Sequence, residues 1–172
     1  MLLRMLRLPL IVAPGLALLV GGTSLAGTAN SDLTVTATIA NNCTIATTTL
    51  AFGTYDPITT HKAANLDGTG AVTVTCTNGA SVGITLGQGA NADAGSTDAA
   101  PLRRMKSGSN YLSYSLFSDS NRSVVWGNTS ETDVSDTGTG VESAHTVYGR
   151  IALDQNVPAG SYSDTVVATV TF

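Results

Sequence analysis

Apolar and polar residues alternate with a period of two at residues 33–39, which read LTVTATI. The apolar side chains therefore fall on one side of an extended chain and the three threonines fall on the other, because successive side chains of a β-strand point to opposite faces. The apolar set is Leu33, Val35, Ala37 and Ile39. The segment predicts a β-strand with one buried face. The pattern alone leaves open whether that face enters the core of its own chain or that of a neighbouring copy.

Similar short alternating runs recur along the chain. They lie at residues 71–76, 82–86, 111–117, 146–153 and 162–172, with an interrupted strand at 43–52 and a short one at 124–127. Polar stretches at 59–70, 87–100 and 128–143 predict loops, and Asn78-Gly79 predicts a hairpin turn between the first two runs. No window shows helical spacing of apolar residues over more than two turns, so the pattern predicts an all-β sandwich.

The last run alternates up to the final residue of the sequence. Its apolar members are Val166, Ala168, Val170 and Phe172. Because no residue follows that could pair with its free side, we expect this strand to keep an unpaired edge. An exposed apolar edge of this kind invites association with another strand.

The first residues have the features of a secretory signal peptide. Arg4 and Arg7 precede an apolar run, and small residues follow at Ser24-Leu25-Ala26. The run is shorter than the roughly 20 apolar residues that a transmembrane helix needs. We therefore expect residues 1–26 to be removed, with cleavage after Ala29 as the alternative, and no stable insertion into the membrane.

Charge and cysteine content narrow the possible functions further. Without Arg4 and Arg7, six basic residues face 12 acidic ones, so nucleic acid is not an expected partner. Cys43 and Cys76 lie in the exported part of the chain, where an oxidising compartment favours a disulfide between them. Metal binding or a catalytic thiol are the alternatives. The composition, which is rich in Thr, Ser, Gly, Ala and Val, suits a single β-rich domain.

The sequence gives little support for catalysis, and no cofactor or metal ion is expected. His61 and His145 stand in no recognisable catalytic motif, so structural roles are favoured for both. Oxygen-bearing side chains at Asn91, Asp93 and Asp98 lack the spacing of a calcium loop and indicate a solvated loop instead. The aromatic residues Tyr111, Tyr114, Trp126, Tyr148 and Tyr162 could line a sugar site, although core filling is the simpler account.

Several blocks together resemble the spore coat protein U domain family, which includes subunits of archaic (Csu-type) chaperone–usher pili. They are the Cys43 and Cys76 pair, YLSYSLFSD at residues 111–119 leading to Arg122 and Trp126-Gly127, YGRI at 148–151, VPAGSYSD at 157–164 and VTF at 170–172. The resemblance covers nearly all of the chain that follows the predicted signal peptide.

The resemblance implies an incomplete immunoglobulin-like β-sandwich that is completed by a donated strand. Residues 27–41 would then be the donor segment, with Leu33, Val35, Ala37 and Ile39 as its buried residues, and 42–172 the sandwich domain. The last strand, with Val166, Ala168, Val170 and Phe172, would line part of the acceptor groove. Implied partners are identical or related pilus subunits, which would form a homopolymer, together with a periplasmic chaperone and an outer-membrane usher.

The function that this resemblance implies is a structural subunit, not an enzyme. It would be secreted through the periplasm and assembled into a cell-surface fibre that supports adhesion or biofilm formation. Two alternatives stay open at this point. The chain could be a self-contained secreted spore-coat or matrix protein whose first strand folds back on itself, or a tip adhesin that binds a glycan or an abiotic surface.

Overall fold

The structure, a computed structural model, describes residue 22 and residues 25–172. The chain divides into two units between Ala37 and Thr38. In the first unit, the described residues are exposed and have no regular secondary structure. The predicted signal peptide, residues 1–26, lies almost entirely outside the described residues.

Eight strands and one helical turn lie within the described part of the second unit, Thr38–Phe172. They are β1 (Cys43–Thr48), α1 (Thr60–Ala63), β2 (Leu66–Cys76), β3 (Ser81–Leu86), β4 (Arg103–Ser107), β5 (Asn110–Phe117), β6 (Val134–Thr137), β7 (Glu142–Ile151) and β8 (Ala168–Thr171). The larger sheet has the order β1-β2-β7-β5-β4 and the smaller one the order β6-β3-β8. All pairs are antiparallel, which confirms the predicted all-β, immunoglobulin-like class.

The core lies between the two sheets and follows the two-residue period of the sequence. On β5 every second residue is buried, while the intervening residues are exposed or half-buried. The buried set comprises Val72, Val74 and Cys76 of β2, Val82, Ile84 and Leu86 of β3, Leu112, Tyr114 and Leu116 of β5, Val147 and Ile151 of β7, and Ala80 and Trp126. Removing these side chains from water is the main force that holds the sheets together.

Trp126 joins the two sheets at the centre of this core. Its side chain is fully buried, and the indole N–H donates to the carbonyl of Ile84 on β3 over 2.8 Å. Its backbone N–H donates to Leu116 of β5, in the other sheet. The strand predicted at residues 124–127 is therefore wrong, because this segment crosses between the sheets and keeps only an isolated bridge between Val125 and Phe117.

The hairpin predicted around Asn78-Gly79 is also wrong, although the turn itself is present. Gly79 has a φ of +82° whereas Asn78 has no positive φ, which fits a type II turn and not the type I′ turn of an Asn-Gly hairpin. However, β2 pairs with β1 and β7, whereas β3 pairs with β6 and β8. The turn therefore carries the chain from one sheet to the other, so that the apolar faces of β2 and β3 are buried on opposite sides of the core.

Two polar segments that were predicted as loops contain regular structure. Residues 59–70 include α1 and the start of β2, and residues 128–143 include β6, which pairs with β3. Polar composition did not prevent strand formation there, because β6 is a four-residue edge strand that buries little side-chain surface. The segment 87–100 has no strand, as predicted. The last strand is shorter than predicted and is restricted to Ala168–Thr171.

Candidate strand-acceptor groove

One wall of a long groove is formed by the chain that follows β1. The strand predicted at residues 43–52 ends at Thr48, and residues 49–55 continue without regular structure. The side chains of Leu50 and Phe52 lie against the inner face of the larger sheet at Gly149. A Cβ atom at Gly149 would come within 2.7 Å of the Phe52 ring and 2.8 Å of Leu50. Glycine therefore lets this wall lie directly on the sheet.

The opposite wall is formed by residues 157–168, which precede and enter β8. Ser163 exchanges two backbone hydrogen bonds with Lys106 of β4, of 2.9 and 3.2 Å. Further along, the carbonyls of Thr165 and Val167 accept hydrogen bonds from the loop that follows β3. This wall is therefore attached first to the larger sheet and then to the smaller one.

Between the two walls lie adjoining concavities of about 800 and 520 Å³. Both are lined by Leu50, Phe52, Met105 and Tyr162, so together they form one groove. Its floor consists of core side chains, each at most 8% exposed: Leu112 and Ile151 in the larger part, and Val72, Leu86, Tyr114, Leu116 and Val147 in the smaller part. A solvent-facing groove with a core floor is the feature expected of a sandwich that lacks one strand.

Strand edges in the described residues are consistent with this interpretation. β1 ends the larger sheet and β8 ends the smaller one, so each has a neighbouring strand on one side only. Ile45 of β1 pairs with Val74 and shares its inward face, yet Ile45 is 37% exposed while Val74 is 3% exposed. The core is thus open along this side of the sandwich.

The four acceptor residues predicted from the last strand do not all line the groove. Val166 and Ala168 line the groove. Val170 is half-buried against the core but does not line the groove. Phe172 is half-exposed and lies with Thr171 and Ser81 at a separate shallow surface outside the groove, and its acceptor role stays a prediction. The sequence interpretation missed the wall at residues 49–55, although the spacing of Leu50 and Phe52 was the available signal.

The predicted donor residues are exposed in the single chain. Leu33, Val35 and Ile39 are 87%, 84% and 85% exposed, and Ala37 is also exposed. No strand is assigned within residues 25–42, so the strand predicted at 33–39 is not formed in one copy. A strand requires a hydrogen-bonding partner, and an isolated extended segment has none. The donor role of this segment stays a prediction.

Strand β1, which follows the predicted donor segment, is attached firmly to β2 at its first residues. Cys43 and Cys76 form the predicted disulfide and are also the first register pair of β1 and β2. Just before it, the Thr77 N–H donates to the Asn42 carbonyl and the Asn42 N–H donates to the Thr77 hydroxyl, at 2.9 and 3.0 Å. The start of β1 is therefore held both covalently and by hydrogen bonds.

Residues 29–169 match the Spore Coat Protein U domain family. The chain belongs to this family. The curated relative Protein U from Myxococcus xanthus is 46% identical over 155 residues, which cover 86% of this chain and 87% of that protein. These matches confirm the resemblance found in the sequence.

A solved structure shares the fold of this family member. It is a chain of the CsuC–CsuE chaperone–tip adhesion subunit pre-assembly complex from the archaic chaperone–usher Csu pili of Acinetobacter baumannii. The match has a TM-score of 0.55 and 22% identity, and it covers 78% of this chain but only 40% of that one. At this identity the likeness concerns the fold.

The histidines of this Spore Coat Protein U domain make structural contacts. His61 is buried, stacks on the Tyr55 ring at 4.8 Å and accepts the Asp56 N–H at its Nδ1 atom. His145 on β7 lies 2.9 Å from Asp136 on β6 and thus connects the two sheets. Within the described residues, no three His, Cys, Asp or Glu side chains are grouped as metal ligands would be. No helix of those residues has the length and hydrophobicity to span a bilayer.

The aromatic residues considered for a sugar site are dispersed. Tyr114 and Trp126 are buried in the core, and Tyr162 lines the groove. Tyr111 lies beneath Arg104, and Tyr148 lies beneath Arg122, with distances of 4.1 and 5.6 Å from guanidinium carbon to ring centre. Because the five side chains face different surroundings, they do not form one aromatic platform.

Proposed function

We propose that this chain is a secreted structural subunit of a surface fibre, a pilus, in which each copy donates residues 33–39 to the groove of the next. The observation that carries this proposal is the groove itself, because core side chains form its floor and the apolar side chains of Leu50, Phe52 and Met105 that line it are only half-buried. A β-strand with alternating apolar residues is the occupant that fits such a groove. The exposed segment with Leu33, Val35 and Ile39 has that pattern.

The energetics favour completion of the acceptor as the source of stability. Burying Leu33, Val35 and Ile39 contributes about 5 to 9 kcal/mol at about 1.5 to 3 kcal/mol each. Ordering some eight donor residues costs about 8 to 16 kcal/mol. The donor side chains therefore do not stabilise the joint by themselves. The remainder comes from covering the groove floor and from satisfying the backbone groups of the groove walls.

The proposed partners and location follow from the same mechanism. A groove lined by half-buried apolar side chains needs protection before assembly, which a periplasmic chaperone would supply by occupying it. An outer-membrane usher would then exchange the chaperone for the next subunit, and a homopolymer would grow on the cell surface. The likeness to a chain from a chaperone–subunit pre-assembly complex supports the chaperone as a partner. A fibre of this kind would serve adhesion or biofilm formation.

Substitution of the apolar face of the donor tests the proposal. The variant L33S/V35S/I39S should no longer form SDS-resistant ladders when it is purified without residues 1–26. The matched control T34S/T36S/T38S changes the opposite face and should form ladders as the wild type does. Deletion of residues 27–40 should likewise abolish polymerisation. Normal fibres from either the apolar-face variant or the deletion would contradict the proposal.

A self-contained coat protein is the second candidate, and the family description favours it. In that case residues 33–39 would complete the groove of their own chain. The wild-type protein would then be monomeric at all concentrations and would melt cooperatively. Analytical ultracentrifugation over a concentration series separates this candidate from the fibre subunit, which should associate.

A further inference from the structure

One wall of the groove carries a charged side chain on its inward face. Along residues 162–170 every second side chain is half-buried, and Asp164 occupies one of these inward positions. The other members of this set are Tyr162, Val166, Ala168 and Val170. A carboxylate that points inward is unfavourable unless hydrogen bonds compensate for its lost hydration.

Asp164 has such hydrogen bonds, and they come from two other parts of the fold. The Tyr114 hydroxyl on β5 donates to Oδ2 over 2.7 Å. The backbone N–H and the side-chain amide of Asn91 donate to Oδ1 over 3.2 and 3.0 Å. Gly89 lies against the same carboxylate with a φ of +88°, where a Cβ atom would collide with Asp164. The loop at residues 87–91 is thus shaped around this side chain.

The surroundings keep the Tyr114 hydroxyl protonated, and they supply the Asp164 carboxylate with hydrogen bonds in place of its lost hydration. Burial, followed by the hydrogen bond to Asp164, raises the pKa of Tyr114. Arg103 is 1% exposed, and its charge attracts the Asp164 carboxylate. The Tyr114 hydroxyl is therefore the donor and the Asp164 carboxylate the acceptor of this hydrogen bond.

The position of Asp164 along the wall explains why its hydrogen bonds affect the width of the groove. Ser163 pairs with β4 of the larger sheet, whereas Thr165 accepts a hydrogen bond from Ala90 beyond β3 of the smaller sheet. Asp164 thus lies where the wall passes from one sheet to the other. With the groove empty, the hydrophobic effect favours movement of this wall towards Leu50 and Phe52. Such movement would strip hydrogen bonds from a charged group, which opposes closure.

We propose that Asp164 is a positioning residue that holds the wall at residues 157–168 apart from the opposite wall while the groove is empty. The inference rests on the proposed donor-strand function. Once a donor strand fills the groove, the strand itself supports the wall, and the tie from Asp164 to Tyr114 and Asn91 becomes dispensable. The residue therefore matters for the state that accepts a strand and much less for the completed state.

Thermal unfolding with and without a donor separates these two states. The protein is the chain without residues 1–26 in the L33S/V35S/I39S background, so that copies do not donate to one another. The probe is a synthetic peptide of residues 30–40. We compare D164A, Y114F and D164N with the exposed control D93A, which removes an ion pair to Arg104 and a hydrogen bond from the Ala94 N–H but no contact with Asp164.

D164A should lower the melting temperature of the empty protein by roughly 5 °C or more, since a hydrogen-bonded charge is lost. With saturating peptide, the difference from the parent should shrink to less than half, and peptide association should be slower. Y114F should lower the melting temperature in the same pattern but by a smaller amount. D164N should be more stable than D164A and less stable than the parent protein. D93A should leave the melting temperature nearly unchanged with and without peptide.

The outcomes distinguish this inference from the proposed function. Equal losses in the empty and peptide-bound states, for D164A and for Y114F, would mean that Asp164 only stabilises the fold and would overturn the inference. If the peptide fails to raise the melting temperature of the parent protein itself, the donor-strand function fails, and the inference fails with it. D164A too unstable to purify leaves Y114F and D164N to decide by the same comparison.

Discussion

Arg103 is a charged residue that the fold buries almost completely. Its side chain is 1% exposed and donates to three backbone carbonyls, those of Leu86, Gly87 and Trp126, over 2.7 to 2.9 Å. Burial lowers the pKa of Arg103 to about 10, so that the guanidinium stays charged at neutral pH. The residue thus satisfies carbonyls where β3 ends and where residues 124–127 cross between the sheets.

Replacement of Arg103 by methionine should destabilise the protein by about 3 to 5 kcal/mol, because buried carbonyls lose their donors. Lysine should recover part of this loss, since an ammonium group retains the charge but lacks the planar fork. Chemical denaturation measures the free energy of unfolding. K106M, at an exposed position of the same strand, is the control and should stay within about 0.5 kcal/mol of wild type. Equal effects of R103M and K106M would contradict the role assigned to Arg103.

The ion pairs of Asp67 make the stability of the fold depend on pH in the acid range. It accepts two hydrogen bonds from Arg150, of 2.7 and 2.9 Å, and lies 3.3 Å from Arg122. The hydrogen bond from Arg150, with the charges of both arginines, lowers the pKa of Asp67 below its ordinary value of 3.8. A lowered pKa in the folded state contributes stability that is present above the unfolded value and is lost as the pH falls through the folded value.

D67N should therefore be less stable than wild type at pH 7 and should lose less stability between about pH 4 and pH 2. Urea denaturation midpoints across this range give the measurement. D154N, in an exposed ion pair with Lys62, serves as the control and should follow the wild-type curve. Parallel pH profiles for D67N and wild type would rule out this contribution.

Residue-level prediction from sequence succeeded where one local signal was sufficient. The disulfide followed from two cysteines in a chain predicted to be exported, and most core residues followed from alternation. The roles of Arg103 and Asp164 could not be predicted in this way. Each has hydrogen-bond partners from segments that are distant in sequence, so the reason for its burial exists only after the sheets have packed.

At the scale of strands, local signals identified elements better than pairings. The runs at residues 71–76, 82–86 and 111–117 are strands, but the Asn78-Gly79 turn connects different sheets. A tight turn fixes the local backbone direction but not the plane in which the next strand lies. The edge strands β4 and β6 were missed because they are short and polar, and their formation depends on the neighbour that each one pairs with.

The groove wall at Leu50 and Phe52 depends on close contact with β7. G149A should crowd both side chains and destabilise the protein by about 1 to 3 kcal/mol. An alanine is otherwise no worse than glycine in a strand, so the loss would come from crowding. Replacement of the Phe52 ring by the smaller leucine side chain in the double variant G149A/F52L should recover part of the lost stability, as measured by thermal unfolding. An additive effect of the two substitutions would indicate that the two positions do not contact each other.

The disulfide should stabilise the attachment of β1 to β2. It closes a segment with a sequence separation of 33, for which the chain-entropy model gives roughly 3 to 4 kcal/mol. The double variant C43S/C76S should lose about this amount in chemical denaturation. Reduction of the wild type provides the control, because it breaks the same bond without changing a residue. A loss confined to the substituted protein would point to the serine side chains.

For the whole molecule, the central property is a groove in the sandwich that has core side chains as its floor and half-buried apolar side chains along its walls. The sequence predicted a donor segment and an acceptor strand from alternation and family resemblance. It did not predict the walls, because residues 49–55 and 157–163 have no regular structure and their places are set by contacts with β7 and β4. Of the predicted acceptor residues, only Val166 and Ala168 line the groove.

Supplying the missing strand within one chain should convert an associating subunit into a stable monomer. In this design a second copy of residues 30–40 follows Phe172 through a flexible linker of about four residues, and the original donor residues carry L33S/V35S/I39S. The appended strand can turn back along the free edge of β8 and enter the groove without the translational entropy cost of association. We expect a higher melting temperature than that of the same chain without the appended segment, no ladders in SDS, and no response to added peptide.

The matched control carries serine at the three apolar positions of the appended copy as well. It has the same length and linker, so it should melt like the chain without an appended segment and should still respond to the peptide. A polar-face control, with serine at the three threonine positions of the appended copy, should keep the full gain. If all three appended proteins melt at the same temperature, the groove does not select the apolar face of this strand. The groove would then have to be completed by a different segment.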